Sequence, residues 1–428
     1  MNFILNMQDI FRYLFDFFSS DLGLRTLIIS ILVGAMCGML GCFIVLRNMA
    51  LIGDALSHAI LPGIVLAFVV AGYSTLGFFV GSVMAGLLSA FLITWLQQKI
   101  RIKNDAAIGI IFTFMFSIGI IGISWISGKQ GVHLDLKDFL FGNLLSVSQE
   151  DLYMSILMLM LVSFIIILFY RPLFITTFQP VIAGTMGINS AAMHYLLMLL
   201  LSLVVVASLR SVGVILVVSM LITPASAALL IADRLQKVLI WASLLGSLSA
   251  ILGLILSIAF DFPVGPSMAV MTTFIYGVIA LFAPKRGFIP RWQARKNLQQ
   301  RILIEDILKR ASKNPIHEPV TLDQFSSITG QTTSQLLKWM KKLEKLGLMI
   351  THTNGYQLTD LGRLRANQIV RAHRLWETFL VEELGLNADQ IHEDAEFIEH
   401  HLSEDDLNRL DEQLGYPETD PHGSPIPK

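Results

Sequence analysis

Residues 178–235 read FQPVIAGTMGINSAAMHYLLMLLLSLVVVASLRSVGVILVVSMLITPASAALLIADRL. A polar opening with Ala183, Gly184, Gly187 and Asn189 gives way to two apolar runs, the second interrupted by Thr223 and Pro224. Each run approaches the roughly 20 residues a helix needs to cross about 30 Å of hydrocarbon. The polar segment between Arg171 and His194 is therefore pinned at one membrane face. Thr223 before Pro224 reads as a kink, because proline removes a backbone donor while threonine offers a hydroxyl to the freed carbonyls. Both a packing kink and a gate hinge fit that pattern.

Outward from this stretch, apolar runs fall at about 24–46, 50–70, 76–97, 106–127, 152–170, 193–209, 212–232, 238–259 and 267–283, so about nine spans are expected. With 428 residues, 54% hydrophobic and 15% charged, the chain is not an ordinary soluble protein. The net charge of −1 hides an asymmetry: charges are sparse as far as Lys285 and dense beyond it. Cys37 and Cys42 both sit in one apolar run, which suggests neither a disulfide framework nor a thiolate metal site. Residues 1–23 lack a basic start and a small-residue cleavage site, and read as an amphipathic lead-in that stays.

Arg47, Lys99, Arg101, Lys103, Arg171, Arg234, Lys237 and the cluster from Lys285 to Lys296 fall on alternate loops. The positive-inside rule puts those loops in the cytoplasm, with the N-terminus outside and the C-terminal part inside. The phosphate-cradling pattern G-x-x-x-x-G-K-[ST] does not occur; Gly128-Lys129 lacks the first glycine and is followed by Gln130. The chain is not expected to be an enzyme.

Ionisable residues inside spans are costly unless paired or facing a wet path. Asp54 and His58, in GDALSHAILPG at 53–63, stand four apart and share one helical face. A carboxylate beside an imidazole suits Mn²⁺, Fe²⁺ or Zn²⁺. The same spacing also suits a hydrogen bond that merely satisfies both groups. His133 and Asp135 lie in an outer loop, where an arriving ion or plain solvent would meet them.

GDALSHAILPG, NDAAIGI at 104–110, DFLFGNLLSVS at 138–148, FYRPL at 169–173 and GVILVVSMLITPA at 213–225 together resemble the permease subunits of bacterial ABC importers for manganese, zinc or iron. The resemblance implies that Asp54 and His58 lie on the metal path. It implies that the segment around Ala183, Gly184, Gly187 and Asn189 is a short helix docking on a separate ATPase. It also implies a place in the bacterial inner membrane, a second permease subunit, the same or related, and an extracytoplasmic metal-binding protein as partners.

Past Pro290 the composition changes. Residues 285–300 read as a basic connector at an anionic membrane face. Residues 301–366 read as a winged helix-turn-helix: TTSQLLKWMKKLEKLG starts with threonine caps and places Leu336, Leu337, Met340, Leu343 and Leu346 at helical spacing. MITHTNGYQLT then alternates about an Asn354-Gly355 turn. Thr332, Thr333, Ser334 and Gln335 at the helix start, with Lys338 and Lys341 on its face, are the groups a DNA duplex would meet, although a lysine-bearing helix is often only a solvated face.

Residues 367–428 turn acidic. His373 and Glu377 stand four apart, and His392, Glu396, Glu399 and His400 recur at helical spacing, a thiolate-free donor set suited to Mn²⁺ or Fe²⁺ with Zn²⁺ open. HRLWE at 373–377, IHEDAEFIEHHLS at 391–403 and DPHGSPIP at 420–427 resemble the diphtheria toxin repressor family of metal-activated regulators. Carried over, Glu396, Glu399 and His400 fall on one metal site, with glutamate at 396 as in manganese-type members; His373, Glu377 and His392 fall on liganding positions too. Glu305 matches an acidic ligand of the first helix, whereas Ile302 stands where an aspartate or methionine is expected. The third, SH3-like domain of iron-type members is not expected within these residues.

The sequence thus predicts an all-α polytopic membrane protein of about nine helices, followed by a winged helix-turn-helix and an α-helical metal-binding and dimerisation domain. Its boundaries fall at 1–23, 24–284, 285–300, 301–366 and 367–428. The expected function is a divalent-metal permease fused to a metal-dependent repressor that binds operator DNA as a dimer. The alternatives are a membrane-anchored sensor without transport, and a transporter whose tail gates uptake without touching DNA.

Overall fold

A computed structural model describes residues 7–72, 74–100, 102–130, 147–314, 319–329, 332–387, 391, 395–396 and 398–428. The chain divides into two compact units, Met1–Arg291 and Trp292–Lys428.

In the first unit, α1 (Met7–Ser19) leads to α2 (Asp21–Leu46), which Ser20 caps by accepting the Gly23 N–H at 3.0 Å. Then follow α3 (Leu51–Ala59), α4 (Leu61–Ala71), α5 (Thr75–Trp95), α6 (Asn104–Gln130) and α7 (Gln149–Leu168). Two short helices, α8 (Tyr170–Phe178) and α9 (Pro180–Thr185), precede α10 (Ser190–Ile231), α11 (Leu235–Phe260) and α12 (Val264–Phe282). Among the described residues, nine helical stretches are long and apolar enough to cross a membrane, with α3 and α4 together making one of them and α10 making two.

The two spans of α10 meet at Gly213, whose φ of 78° and ψ of 167° break the helix without a loop. Pro224 lies within the second of these spans and keeps helical backbone angles, with Ser226 Oγ donating to the Ile222 carbonyl at 2.8 Å. The sharp break is therefore at the glycine.

Helix α2 packs against α10 and α11. A Cβ at Gly34 would overlap the Gly246 carbonyl, one at Gly38 the Ala242 carbonyl, and one at Gly41 the Leu221 carbonyl. Missing side chains thus let backbones approach closely, which is how helices associate where lipid supplies no hydrophobic drive. Overpacking costs about 1–3 kcal/mol even where neighbours can move, and here backbone atoms block the way. Gly41→Val is expected to abolish the monodisperse peak in detergent size exclusion. Gly277→Val, where a Cβ meets nothing within 4 Å, is expected to leave it intact.

The second unit is built on α13 (Phe288–Ser312), whose first turn begins in the preceding unit. Residues 288–300 of the segment read as a connector are helical. Next come α14 (Leu322–Thr329), α15 (Thr333–Lys345), an antiparallel hairpin of β1 (Met349–His352) and β2 (Gly355–Leu358), α16 (Asp360–Glu382) and α17 (Glu404–Gln413). Met349 pairs with Leu358 and His352 with Gly355, so the two loop residues are Thr353 and Asn354, one position earlier than the Asn354-Gly355 turn read from the sequence, and Gly355 opens β2; Val320 bridges to Tyr356 on the hairpin's other edge. Ile307, Leu308, Phe325, Leu336, Met340, Leu343 and Met349 form the winged-helix core; Leu375, Leu407, Leu410 and Ile426 form a second. Leu337 and Leu346, read from their spacing as part of the buried stripe, are exposed, because only three positions of α15 face α13 and α14.

Candidate functional site

Asp54 and His58 lie on α3, with His58 Nε2 3.8 Å from Asp54 Oδ1. That separation exceeds hydrogen-bond range, so the pair does not satisfy itself. Phe112 and Phe116 of α6 wall the imidazole, their ring centroids 5.6 and 5.3 Å away. Pro62, four residues on in α4, has no N–H for the His58 carbonyl. A carboxylate and an imidazole thus collect beside a helix break inside a span, where the His58 carbonyl accepts the Ile60 N–H in place of one from residue 62. Discontinuous membrane helices coordinate ions in this way. His133 and Asp135 lie outside the described residues.

The short helix expected at 183–189 lies earlier, over Pro180–Thr185. Pro180 opens it, since its fixed φ suits a first helical position. Gly187, at φ 74°, closes it, with Ile188 N–H donating to the Ala183 carbonyl at 2.9 Å. Ala183 is buried, Gly184 is open, and Asn189 caps α10 by accepting the Ala192 N–H at 3.1 Å. Val181, Ile182 and Met186 are exposed, an apolar face on an otherwise polar turn. Arg47, at the end of α2, donates to Thr176 and Thr177 of α8 at 2.9 and 3.1 Å and so ties this turn to the bundle.

In the winged helix, Thr332 is the N-cap of α15 and Gln335 closes a capping box, accepting from the Thr332 N–H at 3.3 Å and its hydroxyl at 3.0 Å. Thr332, Thr333, Ser334, Gln335, Lys338 and Lys341 are all exposed. The cap thus occupies the Gln335 carbonyl oxygen, while the lysines present charge outward.

A largely buried cluster forms where α13, α16 and residues 398–401 meet. His400 Nδ1 is 2.7 Å from Glu305 Oε2, and its Nε2 is 3.3 Å from Asp306 Oδ1 and 3.6 Å from Glu399 Oε1. Successive helical residues point about 100° apart, so Glu305 and Asp306 straddle the two ring nitrogens. Asp306, Glu399 and His400 have ligand atoms all within 4.8 Å of one another. Asp306, one residue beyond the acidic position read from the sequence, thus completes the set, and Glu305 orients the imidazole from behind. His373 Nδ1 lies 2.5 Å from Glu399 Oε2, and its Nε2 is 3.1 Å from Glu377 Oε1. Glu396 is exposed and is not one of the three; His392 lies outside the described residues. Glu377, Asp420 and His422 make a second group of donors within 4.8 Å of each other.

The donors fit a divalent ion: two carboxylates and an imidazole, without thiolate, with Glu399 and His400 buried and Asp306 partly exposed. A cleft of about 840 Å³ reaches Glu305 and Glu399 and gives an ion a route in.

Burial opposes charge on Glu305, but hydrogen bonds from His400 and Arg301 outweigh it and hold its carboxyl below the usual range. Glu399 is likewise held down, by His373 and Lys309 against burial. Burial works against charge on His400 too, yet Asp306 and Glu305 push it up to about 9. For histidine the contribution to stability is full below the unfolded value near 6.5 and is lost as pH rises through about 9. The two glutamates contribute above the ordinary carboxylate range and lose that contribution as pH falls through it. Amide protection factors over residues 360–382 of the chelator-treated chain are therefore expected to fall progressively as pH rises from about 6.5 and to lose no more from this source above about pH 9.

A many-pass bundle with a carboxylate–imidazole pair in one span, joined to a winged helix with a buried oxygen and nitrogen donor cluster, defines a membrane transport protein carrying a metal-binding regulatory unit. Residues 19–283 match the ABC 3 transport family, and the chain belongs to it; residues 359–428 match the iron dependent repressor, metal binding and dimerisation domain. The chain is similar to the manganese transport system membrane protein MntC of Halalkalibacterium halodurans, 45% identical over 273 residues that make up 64% of this chain and 91% of that protein. It is similar to the manganese import system permease protein ScaB of Streptococcus parasanguinis, 43% identical over 263 residues, 61% of this chain and 91% of that one. Among solved structures it resembles PsaBC from Streptococcus pneumoniae in complex with Fab, with a TM-score of 0.59, 36% identity, and coverage of 67% of this chain and 99% of that one.

Proposed function

We propose that the chain is the permease subunit of an ABC importer for a divalent metal, Mn²⁺ ahead of Fe²⁺ and Zn²⁺, with a fused metal-dependent transcriptional repressor. The observation that carries this reading is the recurrence of one donor chemistry in both units: Asp54 and His58 in the bundle, and Asp306, Glu399 and His400 in the soluble unit. The manganese relatives and the lack of a thiolate in either set support the choice of ion.

In this reading the ion is cargo at Asp54 and His58, and binding there is weak enough for release. ATP hydrolysis belongs to separate subunits that dock on the exposed Val181, Ile182 and Met186. A second permease subunit and an extracytoplasmic binding protein complete the importer. The lysine and arginine loops set the Trp292–Lys428 unit in the cytoplasm of a bacterial inner membrane. There Asp306, Glu399 and His400 hold the ion, with Glu305 orienting His400. The bound ion supplies positive charge to an acidic cluster, favouring a dimer that presents Thr333, Ser334, Lys338 and Lys341 to an operator.

The test is retention of DNA from upstream of the chain's own operon by the full-length protein in nanodiscs. Retention is expected only with Mn²⁺ and is expected to vanish in His400→Ala. Retention that ignores metal contradicts the reading. No retention with Mn²⁺, Fe²⁺ or Zn²⁺ also contradicts it, and leaves the unit as a gate on uptake.

A further inference from the structure

Lys309 occupies the middle of the regulatory donor cluster. Its Nζ donates to both oxygens of Glu399, at 2.8 and 2.6 Å, and stands 3.3 Å from His373 Nδ1. The side chain is 14% exposed and that of Glu399 1%, so the pair is shielded from solvent. Two carboxylate oxygens and an imidazole nitrogen around one point are the surroundings a divalent ion would take on that side of Glu399. On the other side of the same carboxylate stand His400 and Asp306. Lys309 reaches the cluster because it follows Asp306 by three residues on α13 and so shares its face.

We propose that the Lys309 ammonium is a tethered cation filling a second ion position, so that the cluster admits one divalent ion, on its Asp306–Glu399–His400 side, and none between Glu399 and His373. The proposal rests on the reading of this unit as a metal sensor and assigns the internal stoichiometry of its site. His373 and Glu377 then act here as positioning residues: His373 bridges Glu399 and Glu377 and holds the carboxylate that Lys309 grips. A fixed positive charge beside the site also opposes the incoming ion through a poorly screened path. The sensor is thereby set to respond only when metal is abundant.

Electron paramagnetic resonance of Mn²⁺ bound to the full-length chain in detergent tests this, because two Mn²⁺ ions sharing one carboxylate couple magnetically and isolated ions do not. Wild-type protein at saturating Mn²⁺ is expected to give only uncoupled signals. Lys309→Met is expected to add a coupled pair and to tighten the half-saturation of the cluster by about tenfold. Lys309→Arg, which keeps the charge, is expected to resemble wild type, and Lys309→Gln serves as a second neutral variant, with protection over 360–382 reporting the fold. A coupled pair in wild type overturns the proposal, whatever the variants do. Folded neutral variants with uncoupled signals and unchanged half-saturation overturn it while leaving the sensor reading standing. Wild-type protein whose Mn²⁺ signals all survive His400→Ala overturns both.

Discussion

Cells whose only copy carries His58→Ala are expected to take up radiolabelled Mn²⁺ at a rate lower by about two orders of magnitude, with the protein present at its normal level in membranes. Groups that merely orient a ligand already cost 10–100-fold in metal affinity or activity when removed, and here one of two side-chain donors on the path would go. His58 touches Phe112 and Phe116 at the edges of its ring, so alanine leaves a cavity beside apolar neighbours and no stranded charge. Loss of uptake would then report chemistry rather than misfolding. Asp54→Asn keeps the shape of its side chain and is expected to fall nearly as far, because the amide brings no charge to an ion that has shed its water. Uptake within about twofold of wild type in both variants would remove the pair from the path.

The second large effect is expected at Glu399. Its carboxylate is the hub of the soluble cluster, gripped by Lys309 and His373 and facing His400. Glu399→Ala strands the Lys309 ammonium, whose side chain is only 14% exposed, and leaves the His373 imidazole with Glu377. Breaking one partner of a buried ion pair typically costs about 3–5 kcal/mol, a large share of the stability of a small unit. The unit is expected to melt or exchange its amides globally in Glu399→Ala. It is expected to recover most of its protection in the double variant Glu399→Ala with Lys309→Met, which leaves no buried charge unpaired. Equal protection in the single and double variants would mean that Lys309 finds water in the folded state.

What could be read from the chain was what depends on period and length. Nine apolar stretches were countable because crossing hydrocarbon demands about twenty residues of one character, and the hairpin declared itself through Asn354-Gly355. The Asp54–His58 pair was visible because four residues make one helical turn. The regulatory cluster was only half legible. His373, Glu377, Glu399 and His400 announced themselves by type and spacing, but Asp306 did not, since choosing it over Glu305 depends on how α13 is rotated against residues 399–400. Lys309 was missed for a similar reason: a lysine near a helix end usually reads as solvated, and only packing shows it folded inward. Asp420 and His422 lie far from Glu377 in sequence, though an aspartate and a histidine two apart in DPHGSPIP were a signal. The short helix before α10 was displaced because the glycines drew attention while Pro180, the residue that starts it, did not.

The central claim is that one chain both carries a divalent metal and senses it. Equilibrium dialysis of the purified full-length protein against Mn²⁺ tests this most directly, compared with Asp54→Ala and with His400→Ala. Two separable classes of bound ion are expected, one missing from each variant. A chain that retains no Mn²⁺, or one whose bound ions survive both substitutions, would contradict it.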